Sequence, residues 1–155
     1  MVAKVFKNVS EIIDDYSGLS RKVLDYSVTV KGLADECKQP GFQNEKWDEL
    51  FDQFFDKENF QRIGHLKEVM DYPAYIEFQT KWAPHSDWEC SFKRITEQDN
   101  VVILELEERI TVGGETNAVN TISVYEFNDT GKFRHIDIYL QQTPQASEVI
   151  PEAYK

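Results

Sequence analysis

The chain has 155 residues, and its 28 acidic and 17 basic residues leave a formal net charge of −11. This charge repels nucleic acids and anionic membrane surfaces, so we expect neither as a partner. The length suits one domain, and no Ser/Gly-rich or charge-block linker divides the chain. We therefore predict a single domain over residues 1–155, with its core at about residues 19–142.

Signals for membrane insertion or secretion are not evident in the sequence. No apolar run approaches the ~18 residues of a membrane helix, and the first residues lack the apolar stretch of a signal peptide. Cys37 and Cys90 form neither a CxxC motif nor a disulfide framework, and unpaired thiols are typical of the cytoplasm. We therefore expect a cytoplasmic protein.

The first half of the chain has helical periodicity. Apolar residues recur at intervals of three or four over Leu19–Cys37, which predicts a helix with one buried face that includes Tyr26. Asn44 is a candidate N-cap for a second helix, whose apolar face includes Trp47 and Phe51. Both helices are expected to pack on the core.

A short strand and a third helix follow. Phe60–Ile63 alternates like a strand. Asp71 is a candidate N-cap for the third helix, and Pro73 in its first turn needs no hydrogen-bond partner. The apolar face of this helix is interrupted by one polar residue, Gln79, and Pro84 ends the helix.

The second half, from Trp88 to Gln142, has the pattern of three strands separated by two turns. A two-residue turn at Gly113-Gly114 would pair Leu104 with Ser123. Because this register mixes polar with apolar residues, it predicts a bulge in the first hairpin.

In the second hairpin, a three-residue loop with Gly131 in the left-handed conformation would pair Phe127 with Phe133. The resulting register predicts a polar–aromatic face made of Thr121, Ser123, Tyr125, His135, Asp137 and Tyr139. The opposite face is apolar and contains Ile122, Val124, Ile136, Ile138 and Leu140. We expect the apolar face to pack on the helices and the polar–aromatic face to form a wet surface or a subunit interface.

This layout, with its hairpin Val124–Phe133 (VYEFNDTGKF), resembles the SnoaL-like branch of the nuclear transport factor two-like superfamily. The resemblance implies an α+β fold, a cone of N-terminal helices packed on a strongly curved, mostly antiparallel C-terminal sheet. It also implies an apolar pocket and a homodimer formed through the sheet. Relatives include ketosteroid isomerases, polyketide cyclases, scytalone dehydratase, epoxide hydrolases and non-catalytic binding proteins, so the fold does not select one activity.

The resemblance transfers few catalytic residues to this sequence. Tyr26 matches the isomerase tyrosine of the first helix and is placed to polarise a carbonyl group. The isomerase general base would fall at Arg62–Ile63, where no carboxylate is present. The acid on the last strand of cyclase-like and hydrolase-like members would fall at Ile138, one residue after Asp137.

His135 and Asp137 are the remaining candidates for proton transfer, because residues two apart on a strand project from the same face. The catalytic hypothesis therefore combines them with Tyr26. A solvated or interfacial pair is the alternative interpretation of the same spacing. The three histidines are far apart in sequence, so we predict no metal site.

Candidate ligand-binding residues come mainly from the aromatic side chains of the predicted helices. They are Trp47, Phe51, Tyr75, Trp82 and Trp88, with Arg62 as a charged group. An ordinary aromatic core would give the same composition.

Two functions remain open at this point. The first is a protein that binds a small apolar ligand without a cofactor, with isomerase, cyclase or hydratase chemistry of the acid–base type as an extension. The second is a non-catalytic, dimeric interaction domain with a packed core. A solvent-accessible cavity above about 300 Å³ with titratable groups inside would favour the first, and a core closed to small molecules the second.

Overall fold

The computed structural model describes residues 7–143, which form four α-helices and seven strands. The helices are α1 (Val9–Ile12), α2 (Gly18–Glu36), α3 (Glu45–Phe51) and α4 (Tyr72–Trp82), with short 3-10 turns at Ile13–Asp15 and Ala83–His85. The strands are β1 (Lys7–Asn8), β2 (Gln61–Ile63), β3 (Val69–Asp71), β4 (Asp87–Gln98), β5 (Val101–Val112), β6 (Glu115–Phe127) and β7 (Phe133–Gln142).

All seven strands belong to one sheet, in the order β1-β4-β5-β6-β7-β2-β3. Neighbouring strands are antiparallel except β2 and β7, which are parallel. The predicted meander of three strands is wrong, because a turn at Asp99 and Asn100 separates β4 from β5 and gives four strands. Helix α2 packs against β4 and β5. The predicted α+β class, with N-terminal helices on a curved and mostly antiparallel C-terminal sheet, is confirmed.

The helices begin and end close to where the periodicity predicts them. The first turn of α2 is capped from the sheet, because Glu97 Oε1 accepts a 2.7 Å hydrogen bond from the backbone N–H of Ser20. In α4 the predicted N-cap is confirmed, since the Asp71 carboxylate accepts a hydrogen bond of 3.0 Å from the N–H of Ala74. Within residues 7–143, the helices are too short or too polar to cross a membrane.

The register of the β5–β6 hairpin is confirmed, but its predicted bulge is wrong. Leu104 pairs with Ser123 and Leu106 with Thr121, and the pairing continues without a shift along β5. A bulge is unnecessary because Thr121 and Ser123 line a cavity instead of a closely packed core. Polar hydroxyls are therefore tolerated on this face.

The bulge lies in the β6–β7 hairpin instead. Phe127 pairs with Phe133 as predicted, but the register shifts by one residue at Glu126, so that Tyr125 pairs with Ile136. A shift of one residue exchanges the two faces of a strand relative to its partner.

This shift corrects the predicted faces of β6. Thr121 and Ser123 lie on the inner face together with Ile138. Ile122 and Val124 therefore share the outer face with His135, Asp137 and Tyr139. The assignment of Ile136, Ile138 and Leu140 to the side of the helices is unchanged.

Aromatic side chains form the centre of the core. Phe133 is fully buried, and its ring centroid lies 5.1–6.1 Å from those of five neighbours, Tyr26, Phe54, Phe55, Tyr125 and Phe127. Trp47 and Phe51 are also fully buried and pack edge to face. Such pairs add to the free energy gained by burial.

Candidate functional site

A cavity of about 280 Å³ lies between α2, α4 and the inner face of the sheet. Its apolar lining consists of Val30, Phe78, Trp82, Trp88, Leu106, Ile110, Val119, Ile138 and Leu140. Its polar lining consists of Tyr26, Ser27, Arg62, His65, Tyr75, Gln79, Glu108, Thr121, Ser123 and Tyr125. Small-molecule sites combine apolar walls with convergent polar groups, and this cavity has both.

Two tyrosines and a glutamine form a buried hydrogen-bonded chain in this cavity. The hydroxyl oxygens of Tyr26 and Tyr75 are 2.8 Å apart, and Gln79 Nε2 donates to the Tyr75 hydroxyl at 2.9 Å. Burial raises the pKa of Tyr26 well above its ordinary value, and it also raises the pKa of Tyr125. These phenols therefore keep their protons at neutral pH and can act as donors.

Arg62 is the cation of the cavity. The pairing of β2 with β7 places it beside Ile136 on the inner face. Its guanidinium carbon lies 5.6 Å from the ring centroid of Tyr75 and 5.7 Å from that of Phe78. Only 13% of the side chain is exposed, and Nη1 is buried without a hydrogen-bond partner. A buried donor of this kind favours a ligand with an acceptor atom.

Glu108 brings a carboxylate to the inner face of β5. Its Oε1 accepts a hydrogen bond of 2.5 Å from the Thr121 hydroxyl, and its Oε2 accepts one of 2.6 Å from Trp88 Nε1. Donors on both oxygens hold the carboxylate in one orientation. Lone pairs remain on both oxygens, so the group can also accept a proton from a ligand.

Comparison at the sequence level identifies no relatives. No family model matches the chain, and no curated protein matches it.

Comparison with solved structures gives clear matches. A candidate SnoaL-like polyketide cyclase from Shewanella putrefaciens has a TM-score of 0.67 at 8% identity, over 90% of this chain and 92% of that one. A nuclear transport factor two-like protein of unknown function from Cytophaga hutchinsonii has a TM-score of 0.53 at 15% identity, over 81% and 92% of the two chains. An LEH-like epoxide hydrolase from M. tuberculosis has a TM-score of 0.53 at 17% identity, over 73% and 84%.

The chain has the nuclear transport factor two-like fold. The predicted resemblance is therefore supported at the level of the fold. Identities of 8–17% establish no activity.

Four of the six predicted ligand-binding residues line the cavity of this nuclear transport factor two-like fold. They are Arg62, Tyr75, Trp82 and Trp88. Trp47 and Phe51 do not line it, since both are completely buried beneath it in the aromatic core. Their position follows from α3, whose apolar face packs inward.

The three predicted catalytic residues are not brought together. Tyr26 lines the cavity. His135 Nε2 and Asp137 Oδ1 are 3.1 Å apart, but they lie on the outer face of β7, opposite Ile138 and Leu140. The alternation of side chains along a strand separates the pair from Tyr26. His135 instead borders a surface cleft.

The sequence analysis did not identify two candidate functional groups, the carboxylate of Glu108 and the free carbonyl oxygen of Gln79. Gln79 Oε1 is buried without a hydrogen-bond partner. Each residue interrupts an otherwise apolar stripe, Gln79 on α4 and Glu108 between Leu106 and Ile110 on β5. A polar residue at a core-facing position was the available signal.

The other charged residues of β5 lie on the outer face. Glu107 forms an ion pair of 2.9 Å with Arg109, and Glu105 pairs with Arg94 of β4. Across residues 7–143, no three His, Cys, Asp or Glu side chains are grouped closely enough to hold a metal ion. Of the charged residues of β5, only Glu108 projects into the cavity.

Proposed function

We propose that the protein binds a small, largely apolar ligand in the cavity between α2, α4 and the sheet. The observation that carries the proposal is a pair of buried polar atoms in the cavity lining that have no hydrogen-bond partner, Arg62 Nη1 and Gln79 Oε1. Leaving such atoms unsatisfied costs about 1–3 kcal/mol each. A ligand with one polar end satisfies them and buries its apolar part against Trp82 and Trp88.

An open cavity lined by ionisable groups supports this proposal over a packed interaction domain, although its volume is just below the expected value of about 300 Å³. At about 280 Å³, the cavity is close to the lower end of ligand pockets, about 300 Å³. The expected ligand is therefore small, of the size of one or two rings.

Filling the cavity is expected to abolish binding. Ser123 is 7% exposed and lines the cavity, so Ser123→Phe places a ring inside it. We expect 2-naphthol to bind the wild-type protein and raise its melting temperature with increasing concentration. Binding to Ser123→Phe should be at least about tenfold weaker, a loss of about 1.4 kcal/mol. Isothermal titration calorimetry measures both affinities.

The matched control is Val124→Phe, which adds the same ring to the outer face of the same strand. We expect it to bind 2-naphthol like the wild type. Overpacking a core costs about 1–3 kcal/mol. Ser123→Leu is therefore a smaller cavity-filling variant in case Ser123→Phe does not fold. Equal binding by all four proteins would contradict a ligand site in this cavity.

The proposal extends to acid–base chemistry of the isomerase, cyclase or hydratase type. Glu108 is the cavity carboxylate, and the Tyr26–Tyr75 pair is the neutral donor. In this version the phenol donates to a carbonyl oxygen of the ligand while Glu108 takes a proton from the neighbouring carbon.

We also propose a homodimer formed through the outer face of the sheet. Ile122 and Tyr139 pair across β6 and β7 on this face, and 39% and 59% of these residues are exposed. Lys93, Asn120 and Gln141 surround the pair. An aromatic–aliphatic pair with a polar rim is typical of interface centres.

Tyr139→Glu is expected to weaken this dimer by at least about tenfold, because it places a charge at the centre of the interface. Sedimentation velocity over a concentration series measures the change. Val112→Glu is the control, since Val112 is 53% exposed at the tip of the β5–β6 hairpin. A wild-type protein that stays monomeric at high concentration would rule out the dimer.

A further inference from the structure

The hydrogen-bonding capacity of the cavity specifies the polar group of its ligand. Arg62 supplies one donor without a partner, Nη1, whose nearest anionic neighbour is Glu68 Oε1 at 3.5 Å. This separation is too long for a strong charge-assisted hydrogen bond. The guanidinium is thus held near Glu68 by charge but keeps a free N–H.

The Tyr26–Tyr75 pair supplies a second donor. Two phenol groups carry two O–H protons, and one of these forms the bond of 2.8 Å between them. Gln79 Nε2 donates to the Tyr75 oxygen, so it consumes neither proton. Whichever tyrosine donates to the other, one phenol proton has no acceptor among residues 7–143.

Gln79 supplies the complementary acceptor. Its Nε2 is used by Tyr75, whereas its Oε1 is buried and unpaired. The Gln79 side chain lies one helical turn after Tyr75 on α4, so its free oxygen is at the same end of the cavity as the two phenols. The cavity therefore presents two spare donors and one spare acceptor at the same end.

Formal charges oppose an anionic ligand at this end of the cavity, and the spare donors oppose a cationic one. Arg62 contributes +1, while Glu68 and Glu108 contribute −2, with histidine counted as neutral. Burial opposes ionisation of Glu68, but backbone N–H groups and Arg62 outweigh this effect and lower its pKa. A carboxylate ligand would bring a third negative charge into a weakly solvated space. An ammonium ligand would face Arg62 and leave both spare donors unsatisfied.

We infer that the ligand carries a neutral group with a C=O acceptor next to an N–H or O–H donor, such as a carboxamide or a hydroxyketone. This inference rests on the proposed function of the cavity. The C=O oxygen accepts from Arg62 Nη1 and the free phenol, and the adjacent N–H or O–H donates to Gln79 Oε1. Free carboxylic acids and amines of the same shape are rejected.

Three probes of nearly the same shape test this selectivity: 2-phenylacetamide, phenylacetate and 2-phenylacetamidinium. We expect calorimetry at pH 7.5 to show that the neutral amide binds at least about tenfold tighter than either ion. A carboxylate or amidinium that binds as tightly as the amide would overturn the inference.

Two variants test whether Glu68 and Arg62 cause the preference for a neutral ligand. Glu68→Gln removes one negative charge beside Arg62, so phenylacetate should gain affinity relative to the amide by about tenfold. Arg62→Met should weaken the amide. Glu107→Gln on the outer face is the control and should retain the wild-type ratio, and unchanged ratios in all three variants would contradict the inference.

The outcome for 2-naphthol separates this inference from the proposed function. If 2-naphthol binds in the cavity and none of the three phenylacetyl probes does, the inference fails and the proposed function stands. If 2-naphthol and the three probes all fail to bind, both fail.

Discussion

Phe133→Ala is expected to lower the free energy of unfolding by about 3–5 kcal/mol, the cost of deleting a buried aromatic ring. Phe133 is fully buried and its ring contacts five other aromatic rings, so the deletion leaves a cavity that several elements border. Phe133 is also the first residue of β7 and pairs with Phe127. Urea unfolding, followed by circular dichroism, measures the change.

Leu66→Ala is the control for this variant, because Leu66 is 78% exposed. We expect its effect to stay within about 0.5 kcal/mol. Phe133→Leu should fall between the two, since it retains part of the volume. A loss below 1 kcal/mol for Phe133→Ala would show that the aromatic cluster is not the centre of the core.

Glu108→Gln is expected to slow proton exchange on a bound ketone by about 10²-fold or more, because an amide cannot act as a general base. The reaction is deuterium exchange of the α-protons of 2-indanone in D₂O, measured by NMR. Gln preserves the local structure, since its Oε1 can accept from Trp88 while its Nε2 donates to the Thr121 oxygen. The free energy of unfolding should therefore change little.

Glu107→Gln is the matched control, one residue away on the outer face of β5. We expect it to exchange at the wild-type rate, because the ion pair with Arg109 that it breaks is partly exposed. If Glu108→Gln exchanges as fast as the wild type, Glu108 is not the base. If the wild-type protein does not exceed the buffer rate, the acid–base extension is wrong and ligand binding remains.

Local periodicity explains the success of the predictions for the helices and the first hairpin. The apolar stripe of α2, the Asp71 cap of α4 and the Gly113-Gly114 turn depend on neighbours within a few residues in the chain. The pairing of Leu104 with Ser123 follows from the turn alone. These features required no knowledge of distant contacts.

The candidate site could be predicted only in part. Tyr75, Trp82 and Trp88 were found because large aromatic residues mark faces that turn inward. Glu108 was missed because it lies in a run of alternating charges, Glu105 to Arg109, whose outer members form surface ion pairs. Its hydrogen bonds to Trp88 and Thr121 come from two other strands.

The sequence by itself determined the three longer helices, strand β2, the two predicted turns and the α+β class, because each depends on local conformational preference and on the period of apolar residues. It did not predict α1, β1, β3 or the turn between β4 and β5. The tertiary structure decided the bulge at Glu126, which moves Thr121, Ser123 and Tyr125 to the inner face of the sheet. It also decided that His135 and Asp137 lie outside the cavity while Arg62 and Glu108 lie within it. The physical reason is that a shift of one residue in strand pairing costs little locally, and the choice between registers depends on contacts with elements far away in the chain.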